Sequence, residues 1–326
     1  MVAIPSRPTC EAPPRRAFGG HPARRAPGRG FTLIELLVVV SIIALLISIL
    51  VPTLRRAREQ AKGTVCTSNL RVVGQGMAAY VQNHADVLPP GRLPRIDDCN
   101  AFAVVRGGRK NRPTFLAVQG AEVGLPAFDD PQPCRSGVDR FGEDGDRQNY
   151  ASGAYVCPAV PAWTDERNGS YGYNYQFLGN SRLRDGATPE SYKNWPVPLS
   201  RVRSPGATVA VGDGMGTAAS WRPGQRREYE NNARDADRYG NEGFNLDPPR
   251  VDAAAGEMAN FDATPQSRTA VHLRHHGRAS ILWLDGHTVG RTWAELGYAV
   301  SPEGIVTFHG DNRFWSGSRQ DVAWTP

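Results

Sequence analysis

The chain offers three sets of residues whose types could do chemistry. The densest lies late in the sequence: Asp213, His272, His275, His276, Asp285 and His287. If the chain between His275 and Asp285 is extended at about 3.3 Å per residue, those two stand about 30 Å apart and do not share an ion. A tighter grouping of Asp213, Asp285 and His287 would suit Ca²⁺, which takes carboxylate oxygens near turns. Against that, Asp285-Gly286 sits between two apolar runs, where an Asp-Gly pair is first of all hairpin chemistry. The second set is the cysteines Cys66, Cys99, Cys134 and Cys157, with a fifth, Cys10, near the start. Four cysteines allow three pairings. The third is Glu35, an acid inside an apolar run. No H-E-x-x-H, G-x-S-x-G or P-loop is present, and Gly212-Asp213-Gly214-Met215-Gly216 lacks the strand-to-helix setting in which glycines cradle phosphate. The sequence gives no reason to expect an enzyme.

The element that positions Glu35 is the run from Leu33 to Val51, in which only Glu35, Ser41 and Ser48 are polar. About 20 residues at about 1.5 Å rise give about 30 Å, the thickness of a bilayer's hydrocarbon core. An acid within such a span costs about 2.5 to 3.5 kcal/mol at the centre, less near the end, and marks a functional position by default. An ordinary secretory signal fits less well: the run is long, no A-x-A site closes it, and Arg55, Arg56, Arg58 and Lys62 follow like a stop-transfer flank. The 38 Lys+Arg against 32 Asp+Glu do not make a nucleic-acid footprint. Six of the arginines (7, 15, 16, 24, 25, 29) and only one acid, Glu11, precede Phe31, which leaves 32 basic and 31 acidic residues after it.

Beyond Pro52 the period stays helical. Leu54, Ala57, Ala61, Cys66, Leu70, Val73, Met77, Tyr80 and His84 recur at spacings of three and four, so a single helix is expected from Phe31 to about His84, ended by Pro89-Pro90. Gly63, Gly74 and Gly76 should weaken it, at up to about 1 kcal/mol each. From Pro89 to about Tyr150, Gly, Pro, Arg and Asp predominate and loops are expected. Ser170 to Tyr175 alternates with tyrosines and reads as a strand with its rings in the core, and Ala207 to Val211 as another, closing at Gly212-Asp213-Gly214. Residues 215 to about 270 read as a polar surface insertion. Arg278 to Leu284, Asp285-Gly286 and His287 to Val289 form a hairpin pattern, and residues 291 to 326, with Trp293, Trp315 and Trp324, should wrap back on the head. A helix followed by antiparallel strands, with no βαβ alternation, predicts an α+β fold.

Arg24, Arg25 and Arg29, then Gly30, then Phe31-Thr32-Leu33-Ile34-Glu35-Leu36-Leu37 and the apolar run resemble the N-terminal signal of type IV prepilins and type II secretion pseudopilins. The resemblance is dense over residues 24 to 84, and His275 with Asp285-Gly286 is similar to a recurring C-terminal signature of large bacterial prepilin-type proteins, whose role the sequence does not supply. It implies a pilin fold and four segments: a cleaved basic leader (1–30), a membrane and assembly helix (31–52), an amphipathic continuation (53–88) and an extracytoplasmic head (89–326). It also implies that prepilin peptidase cuts after Gly30 and methylates Phe31, and that Glu35 pairs with the new amino terminus of a neighbouring pilin or pseudopilin subunit. The implied location is the inner membrane, amino terminus inside. In that setting a disulfide is expected, for example Cys99 with Cys134 and Cys66 with Cys157, the alternative being buried free thiols. The competing function is a membrane-tethered binding protein or hydrolase that uses a prepilin-type export signal.

Overall fold

The computed structural model describes residues 31–92, 102–105, 108–111, 114–125, 150, 152–160, 169–179, 181–182, 192–193, 197–226, 243–250 and 268–321. Gly30, Cys10, Cys99, Cys134 and Trp324 lie outside them. Two compact units are present, Met1–Thr53 and Leu54–Pro326, and helix α1 (Leu33–Asn83) contributes to both.

In the first unit every described side chain is exposed, from Leu33 at 82% to Val51 at 41%. A continuous apolar surface of this kind marks a membrane or protein partner, and α1 is long and apolar enough to cross a bilayer. Its few hydroxyls are satisfied within the helix: Ser41 donates to the Leu37 carbonyl at 2.8 Å, Ser48 to Leu45 at 2.7 Å and Thr53 to Leu50 at 2.8 Å. That is the requirement hydrocarbon imposes on polar groups. Pro52 lies inside the helix.

In the second unit the rest of α1 packs on an antiparallel sheet. The sheet runs in the order β3 (Tyr171–Tyr173), β6 (Val209–Gly216), β8 (Ala279–Trp283), β9 (Thr288–Arg291), and β7 (Ala270–Val271) pairs with β6. The expected hairpin is β8–β9, with Gly286 at φ +93° and its N–H bonded to the Trp283 carbonyl at 2.9 Å. Ala279, Ile281 and Trp283 enter one core cluster and Leu282 the other, the period of two that a sheet buried on both faces requires. The tyrosines at 171, 173 and 175 are core, as expected. Elsewhere the described chain forms a small antiparallel pair, β1 (Phe102–Val105) with β2 (Gly108–Asn111), helix α2 (Phe115–Gly120), helix α3 (Tyr175–Leu178), and a second pair, β4 (Ser181–Arg182) with β5 (Tyr192–Lys193).

The structure departs from the sequence reading in several places; α2 and the β1–β2 pair lie in the span expected to be loops, and Tyr175, expected in a strand, begins α3. The buried stripe of α1 starts at Cys66 and continues through Leu70, Val73, Gly76, Met77 and Val81, whereas Leu54, Ala57 and Ala61 are exposed. The helix ends at Asn83 through Ala85 and Asp86 at φ 50° and 67°, with the Asp86 N–H on the Val81 carbonyl at 3.1 Å, so a left-handed turn ends it before Pro89 is reached. Strand β6 continues to Gly216, because Gly212 and Gly214 let neighbouring chain approach: a Cβ at Gly214 would stand 2.3 Å from the Gly243 carbonyl oxygen. The span after 215 is also not all surface, since Met215, Ala218, Ala219, Phe244 and Leu246 are buried.

The helix glycines have a packing reason. Gly74 lies against β8, where an added Cβ would meet Leu282 Cδ1 at 2.9 Å and the Gly286 Cα at 3.7 Å. Gly74→Val should therefore lower stability by about 1 to 3 kcal/mol through overpacking, read as a shift of the urea midpoint for the full chain in detergent. An unchanged midpoint would place Gly74 outside the contact.

Candidate functional site

At the start of α1 the Thr32 N–H and hydroxyl both donate to Glu35 Oε2, at 2.9 and 2.8 Å, and the Glu35 N–H donates to Thr32 Oγ1 at 3.3 Å. This is a capping box, T-x-x-E, in which two otherwise orphaned helix donors are satisfied reciprocally. Phe31 just before it is exposed.

A second constellation lies inside the head unit. Asp213 on β6 is fully buried, and the sheet register that sets Gly212 opposite Gly172 and Ile281 turns its carboxylate toward α1. The Cys66 thiol of α1 donates to Asp213 Oδ1 at 3.2 Å, and the Ser280 N–H donates to Oδ2 at 2.6 Å. His275, in the turn between β7 and β8, places Nε2 3.5 Å from Asp213 Oδ2 and 3.4 Å from the Cys157 sulfur. Its Nδ1 faces Gly63, where a Cβ would lie 3.5 Å away. Cys157 is held from the backbone side, its N–H donating to Ser170 Oγ at 2.7 Å. Arg274, with its side chain 3% exposed, brings Nε to 3.9 Å from Asp213 Oδ1 and donates from Nη2 to the Gly214 carbonyl. Tyr171 donates to the Cys66 sulfur at 3.5 Å. Cys66 and Cys157 are free thiols, both buried.

The electrostatics of this pocket follow from its dryness. Burial pushes the Asp213 carboxyl up, and Arg274 and His275 only partly offset that. The two thiols are inequivalent: the hydrogen bond between them raises Cys66, with burial and the Asp213 charge adding to it, and the same bond lowers Cys157, helped by His275 and Arg274. Burial alone would lower His275, but the Cys157 hydrogen bond and the Asp213 charge outweigh it and the ring is raised. His272 is pushed down to about 3 by burial and by Arg274, so it stays neutral.

The calcium grouping is not assembled. Asp213 is buried with Cys66, Cys157 and His275, while Asp285 and His287 stand exposed on the hairpin turn. There Asp285 Oδ1 accepts from the His287 N–H at 3.1 Å and lies 2.6 Å from His287 Nδ1, and the His287 ring stacks on Trp283 at 5.5 Å. This is turn chemistry, as the Asp-Gly pair suggested. His276, at φ 52°, also serves a turn. His275 and Gly286 bracket β8 and rest on α1 at Gly63 and Gly74, eleven residues apart and so about 16 Å along the helix, which keeps the two ends of the signature separate. Sequence reasoning named Cys66, Cys157, Asp213 and His275 but never as one set, and it missed Arg274. Only the burial of Cys66 on the apolar stripe pointed inward.

Residues 26–51 match the family described as the prokaryotic N-terminal methylation motif. The type IV wide pilus major component PilA4 of Thermus thermophilus is 55% identical over 42 residues, which are 13% of this chain and 32% of that protein. The chain thus spans about a third of the length of the curated relative it matches. No solved structure matches. Both matches fall on the N-terminal part of the chain, which is similar there to prepilin-type proteins, and the long N-terminal helix with an antiparallel sheet is a pilin-like α+β arrangement.

Proposed function

We propose that the chain is a prepilin-like subunit that prepilin peptidase cuts after Gly30, leaving an N-methylated Phe31, and that assembles through residues 31–52 with other pilin or pseudopilin subunits. The product is a type IV pilus or a type II secretion pseudopilus. Residues 1–30 are then the leader, 53–88 the amphipathic continuation, and 89–326 a head outside the inner membrane. The observation that carries this reading is the methylation motif at residues 26–51 directly on an apolar helix whose span to Val51 is wholly exposed. Such a surface is stable only in lipid or against copies of itself. The reading needs no catalytic group and no nucleic acid.

Mass spectrometry of the amino-terminal peptide from membrane-extracted protein tests it. N-methylated Phe31 is the expected terminus. An intact Met1, or a terminus beyond Val51, would overturn the reading.

A further inference from the structure

We propose that Cys66, Cys157, Asp213 and His275 form a structural zinc site inside the head. One ligand atom from each lies within 4.8 Å of all the others, and the four residues come from separate places: α1, the 152–160 segment, β6 and the β7–β8 turn. For a tetrahedral ion with Zn–S of about 2.3 Å and Zn–N or Zn–O of about 2.0 Å, ligand atoms stand about 3.3 to 3.8 Å apart. Cys66 Sγ lies 3.2 Å from Asp213 Oδ1, Cys157 Sγ lies 3.4 Å from His275 Nε2, and His275 Nε2 lies 3.5 Å from the other carboxylate oxygen, Asp213 Oδ2; these separations are close to that range, and a carboxylate that binds through either oxygen needs only a small rotation to complete the set. Two sulfurs, one imidazole and one carboxylate in a closed, dry setting suit zinc over Ca²⁺ or Mg²⁺, which take oxygen.

Charge makes the same argument. On binding, the protons held among the two thiols and the imidazole, about two in all, go to solvent, and two thiolates, one carboxylate, a neutral imidazole and a dication sum to one negative charge. Arg274 at 3.9 Å from Asp213 supplies the compensating positive charge, so the buried centre is neutral. The Ser280 N–H on Asp213 and the Tyr171 hydroxyl on Cys66 orient the ligands from outside. The ion would tie α1 to the sheet, whatever the helix does in the membrane, so this site does not depend on the filament reading.

The test uses the full chain in detergent. Inductively coupled plasma mass spectrometry should find one zinc per chain. After chelation, Co²⁺ titration should give visible ligand-field bands with thiolate charge-transfer absorption, and release about two protons per ion. Cys157→Ser and Asp213→Asn should lose the cobalt spectrum, while a Cys99→Ser/Cys134→Ser chain should keep it. Because the first two variants could fail to fold, the chelated native chain carries the decision by itself. A Cys66–Cys157 disulfide in nonreducing peptide maps, or free thiols that take up no Co²⁺, would overturn the site.

Discussion

Glu35→Leu and Glu35→Gln chains should be inserted and processed at Gly30 yet give no crosslinked helix–helix ladders, a loss of assembly to below detection. An unpaired charge among packed helices costs several kcal/mol, and a processed amino terminus four residues before Glu35 is such a charge. The capping box separates charge from helix structure, because Gln at the third helical position keeps that box while removing the anion. Leucine removes both. If the glutamine chain assembles and the leucine chain does not, the box is what matters and the ion pair is refuted. Normal ladders from both would transfer the function to a tethered head.

The sequence carried the long elements and lost the short ones. A 51-residue helix and an Asp-Gly hairpin are specified by local pattern, the first by its apolar run and stripe, the second by alternation around Asp285-Gly286. Pattern reading failed where glycine or tertiary contact decides. Gly63, Gly74 and Gly76 look like weak points of a helix until His275, Leu282 and Gln119 are placed against them. The bulge between Val209 and Val211 puts Ala210 and Val211 into the same cluster, which no strict alternation foresees.

The N-terminal motif that the family model matches was legible because its parts are contiguous: Gly30, Phe31, Thr32 and Glu35 are neighbours in sequence. The buried set was not. Cys66 and Asp213 are 147 residues apart and Cys157 and His275 are 118 apart, so only the sheet register and the packing of α1 bring them together. Reading Asp213 with Asp285 and His287 rested on residue type, and the fold separates them by burying the first and exposing the others.

The C-terminal segment was expected to wrap back on the head, and Trp315 shows how strongly it should hold. Its side chain is completely buried beside Val209, Met215, Ile281 and Phe308, and its ring meets Tyr298 edge-on at 5.5 Å. Its indole N–H donates to the Leu296 carbonyl at 3.0 Å, and its own carbonyl accepts from Asn174 Nδ2 at 3.0 Å, tying the tail to the turn after β3. Trp315→Ala removes the ring contacts, opens a cavity and leaves the Leu296 carbonyl without that donor, for an expected loss of about 3 to 5 kcal/mol. That is a large part of the roughly 5 to 15 kcal/mol that holds a domain folded. Urea unfolding of the full chain in detergent, followed by near-ultraviolet circular dichroism, measures it. The exposed Val300→Ala is the control, expected within about 0.5 kcal/mol of the parent. A Trp315→Ala loss below about 1 kcal/mol, on the scale of an ordinary substitution, would mean that the tail rests on the head without completing its core.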